Sequence, residues 1–404
     1  MAGGGASGLM AAVVSARAGA RTLLLELNDR PGVKLALTGG GRCNVLPRSE
    51  PSGEYVTTSS ANSLKRILAG WSVREAARFF RVEAGMEPTP EQGTGNLFLG
   101  SGGAAMLARR LAGMAAEAGA EILTGVRVAS IEPGGAVWRI GTGGGAGFEA
   151  CSVVLATGGR SWPWTGSSGR GYALAERLGH TVRRTFPALV PLLRRSGVLG
   201  GLDGIVVDAA LRSSFGGRKV SSRGSLLFTK DGFSGPAAMN ISHCVSLPSA
   251  SGSEPPEVRA CWLPEAAGAA MAELSSHGGT LGGFLRAALP ARLSSALISM
   301  AGLDPGKPAC ALDREARAAM QKVLLDCPLD IGGDSGWRKA ETTGGGVALE
   351  EVESHTLESR LHPGLYFTGE MLDAFGPVGG WNLYWAWLTG RAAGLAAAAR
   401  RRNA

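Results

Sequence analysis

Along the first part of the chain, apolar and polar positions alternate between two periods. Residues 8–19 (GLMAAVVSARAG) carry small residues on one side and predict a helix packed closely on a sheet, and residues 22–26 (TLLLE) form a short apolar run ending in an acid, as in a buried parallel strand. Residues 102–119 predict a second amphipathic helix that stops at Gly119. The runs 121–124, 126–132, 136–140 and 151–156 read as four short strands, the first two also readable as one bent strand, in a small meander that returns to the main sheet. After Pro187 the pattern changes. Residues 188–193, 204–212 and 224–229 are strand-like, residues 249–256 (SASGSEPP) form a loop, and residues 281–301 and 313–327 predict helices joined through Pro305 and Pro308. From Gly344 onward the chain returns to strand, glycine turn and helix.

This organisation predicts an α/β protein with a discontinuous nucleotide-binding domain, residues 1–187 and 341–404. The interruption, residues 188–340, divides into β-rich stretches (188–255 and about 329–340) and a largely helical stretch (256–328). No repeat of 20–50 residues recurs. With 404 residues, 45% hydrophobic and 18% charged, the chain suits a globular enzyme of two or three domains and not a disordered one. Its net charge of +8 permits an anionic partner such as RNA, but the only dense basic run is Arg400-Arg401-Arg402, which also reads as a helix end suited to cations. The six cysteines form no C-x-x-C pair and no signal peptide is evident, which predicts free thiols in a reducing cytoplasm. No apolar run is long enough to span a membrane.

Gly3-Gly4-Gly5-Ala6-Ser7-Gly8 is a G-x-G-x-x-G turn leading straight into the first helix, and Glu26 stands 18 residues beyond Gly8, at the end of the next strand. In such a turn Gly3 makes the bend, Gly5 lets a pyrophosphate approach the backbone, Gly8 lets helix and strand pack closely, and Glu26 accepts from ribose hydroxyls. An acid at that place favours a ribose without a 2′-phosphate, as in FAD or NAD. Only Met1 and Ala2 precede the turn. The central strand is therefore expected to be missing and its neighbours to lack ladder partners, with the true start upstream or the chain truncated.

Thr38-Gly39-Gly40-Gly41-Arg42-Cys43-Asn44 is a second glycine-rich loop, able to wrap a pyrophosphate or ribityl chain with backbone amides and the Arg42 guanidinium. Cys43 has no partner cysteine nearby and reads first as a shape-filling residue. The cluster at residues 141–147 (GTGGGAG) lies between strands with no helix after it, and predicts a turn. Ala156-Thr157-Gly158-Gly159 closes an apolar strand. Gly369-Glu370, with Asp373 three residues on, follows the apolar run 365–368, where an acid can hold ribityl hydroxyls. Residues 376–382 (GPVGGWN) then open the last helix, whose free amides and positive dipole end suit the flavin edge that gains negative charge on reduction. None of the five histidines has metal-binding or triad spacing, so no metal site is expected.

GGGASGLMAA, KLALTGGGRCNV, ATGGRSWPWTGSSGRGYALAERLGH, PALVPL, LFTKDGFSGPAAMNIS and GLYFTGEMLDAFGPVGGWNLYWAWLTGRAAG together resemble the BaiN/YhiN-type bacterial flavoproteins across nearly the whole chain. That resemblance implies a glutathione-reductase-like FAD-binding Rossmann domain with an inserted β-barrel and a small helical subdomain, and NAD(P)H as electron donor. It implies cofactor contacts at Gly3, Gly5, Ala6, Ser7, Gly8, Glu26, Lys34, Gly40, Gly41, Arg42, Cys43, Asn44, Val128, Thr157, Gly158, Gly159, Gly369, Glu370, Asp373, Gly379, Gly380 and Asn382. The chain departs from the family pattern at Arg170, where Gly-Asp-Gly-Tyr is usual, and at Lys230, where His is usual. The leading expectation is reduction of an activated C=C bond in an enone-like small molecule, by hydride transfer through flavin N5. The alternatives are reduction of a uridine in ribosomal RNA, amine oxidation, or non-catalytic nucleotide binding. No side-chain triad is evident, and Cys43 and Lys230 are the candidate acids.

Overall fold

The computed structural model describes residues 1–197, 199–265 and 267–400. They form two compact units, Met1–Phe186 with Glu341–Ala404, and Pro187–Ala340.

In the first unit the glycine turn feeds α1 (Ala6–Arg17), followed by β1 (Leu23–Leu25), β2 (Asn44–Leu46), α2 (Gly103–Glu117), β3 (Glu121–Leu123), β4 (Val153–Leu155) and α3 (Arg170–Arg177). The returning segment supplies β5 (Thr342–Val347), β6 (Leu365–Phe367) and α4 (Trp381–Arg400). β1 pairs in parallel with β3, and β4 with β6. Between β1 and β4 lies Ala2, bridged in parallel to Leu25 on one side and to Leu155 on the other. Across the sheet the order is therefore β3, β1, Ala2, β4, β6, the arrangement of a dinucleotide-binding Rossmann sheet.

The expectation of neighbours without ladder partners is corrected here. Leu25 N donates to Met1 O at 2.9 Å and Gly3 N to Leu25 O at 2.8 Å; on the other side Ala2 N donates to Val154 O at 2.9 Å and Ala156 N to Ala2 O at 2.9 Å. Main-chain groups need no particular side chain to form a ladder, so even Met1–Gly3 satisfies both flanking strands. The stretches read as one bent strand also separate. β3 joins the parallel sheet, whereas Val128–Gly134 pairs antiparallel with Val137–Thr142, which pairs with Gly147–Ala150 across the predicted glycine turn.

α4 is buried on most of its surface, with Trp385, Trp387 and Leu388 all 2% exposed or less. A helix apolar all round must lie inside the fold. It reaches α1 through Gly390 and Gly394, one turn apart. A Cβ at Gly390 would stand 2.3 Å from Ser7 O, and one at Gly394 would stand 2.5 Å from Ala11 O. Arg400 closes the helix with an ion pair to Glu358 at 3.0 Å, while Arg401 and Arg402 of the basic run lie outside the described residues.

The second unit holds a seven-stranded antiparallel sheet in the order Cys327–Leu329, Val258–Cys261, Val206–Phe215, Arg218–Phe228, Gly232–Ser234, Leu192–Arg194, Ile331–Asp334. Its two outermost strands are separated in the chain by Asp330 alone, so the sheet curls until its edges meet. The helix expected over 281–301 is two, Leu281–Ala288 and Ala291–Met300. Pro290 lacks the amide a continuing helix needs and holds Leu289 extended at φ −132°, ψ 153°. Helices Pro236–Ile241 and His243–Ala250, not foreseen, pack Ile241 and Val245 into this unit's core.

Because α1 and α4 meet backbone to small residue, a single methyl tests their contact. Gly390→Ala is expected to lower the unfolding free energy by about 1–3 kcal/mol, read as a lower urea midpoint; an unchanged midpoint would show that the helices separate freely.

Candidate functional site

The site begins where backbone crowding is greatest. Gly3 holds φ 103°, and a Cβ there would stand 2.5 Å from Ala156 O. At Gly8 a Cβ would stand 1.9 Å from Gly3 O, so no side chain fits between turn and helix. Gly5 is the opposite case, with nothing within 4 Å of its would-be Cβ. It caps α1 without a side-chain hydrogen bond, and the first turn of the helix carries no acid. The amides of that turn and the positive end of the dipole therefore face open space, the physical requirement for an anion. Ser7 is buried behind the turn, its Oγ accepting from Thr368 Oγ1 at 3.1 Å.

The open space belongs to a cleft lined among others by Gly3, Gly5, Glu26, Lys34, Val128, Thr157 and Gly158. Glu26 is 6% exposed. Its Oε2 accepts from Gly4 N at 2.6 Å, and its Oε1 from Asn28 N at 2.8 Å and Asn28 Nδ2 at 2.6 Å. The carboxylate thus fixes the glycine turn and keeps one lone pair of Oε2 for the cleft.

Lys34 ties this region to the returning segment. Its Nζ donates to Glu370 Oε1 at 2.6 Å and to Ser161 Oγ at 2.5 Å, and Ser161 Oγ donates to Glu370 Oε2 at 3.2 Å. Gly159 must be glycine because a Cβ would stand 2.2 Å from Thr343 Oγ1, which accepts from Arg160 N at 2.8 Å. Gly369, at φ 61°, sits where a Cβ would meet Ser7 Oγ at 2.7 Å, so the Gly369-Glu370 turn lies directly on α1.

A second group gathers around β2 and the start of α4. Gly39, Gly40, Gly41 and Cys43 hold φ of 58°, 64°, 85° and 58°, a left-handed run interrupted only by Arg42. Space is open at Gly40 and Gly41. Asn44 Oδ1 is buried and has no hydrogen-bond partner among the described residues. Gly380 approaches the Leu46 backbone, with 2.4 Å from a would-be Cβ to Leu46 C, and Gly379 approaches Asn96. An orphaned acceptor, open glycine amides and a long helix start fit a polar ligand there.

Several expected side chains turn elsewhere. The Arg42 guanidinium pairs with Glu91 Oε1 at 2.8 Å and lies 4.5 Å over the Phe98 ring, away from the cleft. Asp373 Oδ2 accepts from Thr58 N at 3.0 Å, Thr58 Oγ1 at 2.7 Å and Ser59 Oγ at 2.8 Å, and so anchors the 57–59 loop. Asn382 closes its own turn, accepting from Gly376 N at 3.0 Å and donating to Gly376 O at 2.9 Å. Cys43 is fully buried, and burial pushes its thiol up to about 12, with Thr38 opposing, so it stays protonated and fills shape. Lys230 is exposed in the second unit, in the turn after Arg218–Phe228, where its carbonyl accepts from Arg194 Nη2 at 2.7 Å. Ser161 and Thr343 escape sequence reading because their partners are distant in the chain, whereas Asn28, two residues from Glu26, belongs to no recognised motif.

Sequence spacing also did not reveal a chain of Glu351, His180 and Ser359. His180 Nδ1 lies 2.9 Å from Glu351 Oε2, and Nε2 lies 2.8 Å from Ser359 Oγ. It resembles a hydrolytic triad in distances only. Ser359 is 4% exposed, and its Oγ accepts from Leu361 N at 3.1 Å and His362 N at 2.9 Å, which uses the lone pairs a nucleophile needs. Among the described residues no group of His, Cys, Asp and Glu is placed to hold a metal, and no helix is long and apolar enough to cross a membrane.

Parallel sheet, glycine turn and acid define a dinucleotide-binding Rossmann domain, and its relatives place it among the FAD-dependent oxidoreductases. The chain belongs to the HI0933-like protein Rossmann domain family, which it matches over residues 1–396. It is 32% identical to the 3-dehydro-bile acid delta(4,6)-reductase of Clostridium scindens, over 98% of both chains. It is 30% identical to the ribosomal RNA dihydrouridine synthase of Escherichia coli, over 95% of this chain and 94% of that one. In fold it is similar to the 3-ketosteroid delta1-dehydrogenase of Sterolibacterium denitrificans, with a TM-score of 0.50, 13% identity and 98% of each chain covered.

Burial holds the His180 imidazole below its ordinary value of 6.5. Burial opposes ionisation of Glu351, but hydrogen bonds from Thr181 and His180 hold it below the usual 4.5. As pH falls through 6.5 the unfolded chain takes up a proton that native His180 refuses, so stability is lost, and Glu351 adds a further loss below 4.5. In His180→Gln the drop in unfolding free energy between about pH 7.5 and about pH 5.5 is expected to shrink by on the order of 1 kcal/mol. Equal drops in variant and parent, measured by urea titration, would remove His180 as the source.

Proposed function

We propose that this FAD-dependent oxidoreductase takes electrons from NADH or NADPH and reduces the C=C bond of an α,β-unsaturated carbonyl compound, an enone-like small molecule. The observation that carries this reading is the 32% identity, over 98% of both chains, to a reductase acting on 3-dehydro-bile acids. A uridine of ribosomal RNA is the second reading, favoured by the 30% identical dihydrouridine synthase and by the net charge of +8. The two readings share their chemistry, because the C5=C6 bond of uracil is also conjugated to a carbonyl.

When bound, FAD supplies acceptance of hydride from a reduced nicotinamide and its donation from N5 to the electron-poor carbon. The chain's own part is binding and orientation. The open amides of Gly5, Ala6 and Ser7 at the start of α1 hold the pyrophosphate, and Glu26 Oε2 accepts from the adenosine ribose. Thr157, Gly158 and Val128 line the same cleft. Lys34, fixed by Glu370 and Ser161, stands between the adenosine half and the ribityl half. Asn44 Oδ1, the Gly40-Gly41 amides, Gly379-Gly380 and the start of α4 receive the ring system. The dipole end of α4 favours the negative charge that gathers on the reduced ring.

Glu26→Ala removes the ribose acceptor and is expected to weaken FAD retention on the order of 10- to 100-fold, read by FAD release during ultrafiltration. Retention equal to the parent's would take the ribose away from this acid. For the reaction itself, anaerobic NADH or NADPH should bleach the bound flavin, and a 3-oxo-Δ4 steroid or a cyclic enone should restore its colour. A bleached flavin that only uridine-containing RNA reoxidises would favour the second reading, and one that neither reoxidises would overturn both.

A further inference from the structure

The loop after the Thr157-Gly158-Gly159 turn carries a feature that the FAD reading does not use. Trp162 and Trp164 stack with ring centroids 6.1 Å apart and planes 15° from parallel, and Trp164 is 57% exposed. Neither ring lines the cleft, although Thr165, Gly166, Ser167 and Ser168, which follow at once, all do. The stack is held in place by several independent ties. Trp162 keeps a left-handed backbone at φ 52°, Pro163 fixes the next residue, and Thr165 bonds Trp162 O through both its amide (2.9 Å) and its hydroxyl (2.7 Å). Thr165 O in turn accepts at 3.1 Å from Asn28 Nδ2, which also donates to Glu26. Gly169 N donates to Gly159 O at 2.9 Å and closes the loop.

At the loop's end Arg170 opens α3 and lines the rim of the cleft, and its guanidinium makes no hydrogen bond or ion pair among the described residues. A bulky residue held in left-handed backbone is strain of the kind that gathers at functional sites, and beside it an indole face and, six residues beyond, a guanidinium stand open to a ligand. Indole faces stack on nucleobases of any sequence, and guanidinium groups meet phosphates.

We propose that the Trp162-Pro163-Trp164 turn is a stacking platform for the base of a second nucleotide, one beyond the FAD, whose phosphate meets Arg170. The proposal rests on the FAD reading, since it takes the cleft beside the turn to be filled by FAD. Two sources share this chemistry, the adenosine end of the dinucleotide electron donor and a nucleotide of an RNA substrate. Because neither ring lines the cleft, the stack suits a ligand other than the adenine of FAD itself.

The test titrates the FAD-loaded protein with ADP-ribose in one arm and a short single-stranded oligouridine in the other, following tryptophan fluorescence and, independently, calorimetric heat. Trp164→Ala is expected to weaken one of the two roughly 5- to 100-fold at unchanged FAD content, and Trp164→Phe to restore most of the affinity. Arg170→Gln is expected to flatten the salt dependence of the same titration. An effect on ADP-ribose assigns the platform to the electron donor, and an effect on the oligonucleotide assigns it to RNA. Equal affinities in parent and Trp164→Ala would overturn the proposal, as would loss of FAD in step with loss of the indole. The FAD reading fails on a different quantity, the FAD content of the parent protein, so the two failures are distinguishable.

Discussion

Everything in the first unit depends on the absence of side-chain atoms where Gly3 meets Gly8. The carbonyl of Gly3 lies where a Cβ of Gly8 would be, at 1.9 Å, and Gly3 itself leaves no room beside Ala156. Only with both positions bare does α1 descend onto the sheet at the angle that points its first amides at the cleft. The same contact holds the Met1–Gly3 backbone between β1 and β4, where it bonds to both. The turn therefore serves the ladder and the anion site together.

Glu26 couples those two roles. By accepting from Gly4 N it holds the turn in shape, and by accepting from Asn28 it reaches the loop that carries Thr165. A residue whose spacing suggests only a ribose ligand is also a structural brace. Its removal would leave the buried Gly4 amide without a partner, a cost separate from any lost ligand contact. Lys34 has the same double character, because its ammonium neutralises Glu370 while lining the cleft.

The parts of the fold legible in the sequence were those set by local rules. The G-x-G-x-x-G turn, the strand ending in Glu26 and the hairpin over residues 141–147 follow from spacing and backbone chemistry within a few residues. Long-range matters were not legible. That Met1 and Ala2 suffice for a ladder depends on strands more than 20 and 150 residues away. Arg42 reads as a phosphate ligand until Glu91 and Phe98 are seen to claim it, and Asp373 reads as a ribityl ligand until the 57–59 loop does the same. The apolar periodicity runs on through either side of Pro290, and only the missing proline amide divides it into two helices. Within the site, the glycine turn and its acid follow from spacing; Ser161 and Thr343 enter only through distant partners, and Asn28 through Glu26 two residues before it.

The glycine contact between α1 and α4 bears on how the molecule is made. Residues 6–17 leave the ribosome early relative to the surface they bury against, residues 381–400, which is synthesised more than 360 residues later. At bacterial elongation rates that interval is roughly 20–70 s. Throughout it the opening helix has Ser7 and Ala11 without their covering glycines, and the Gly369-Glu370 turn does not yet exist. The two helices therefore meet late in synthesis, and until then the apolar face of the opening helix lacks the surface that covers it.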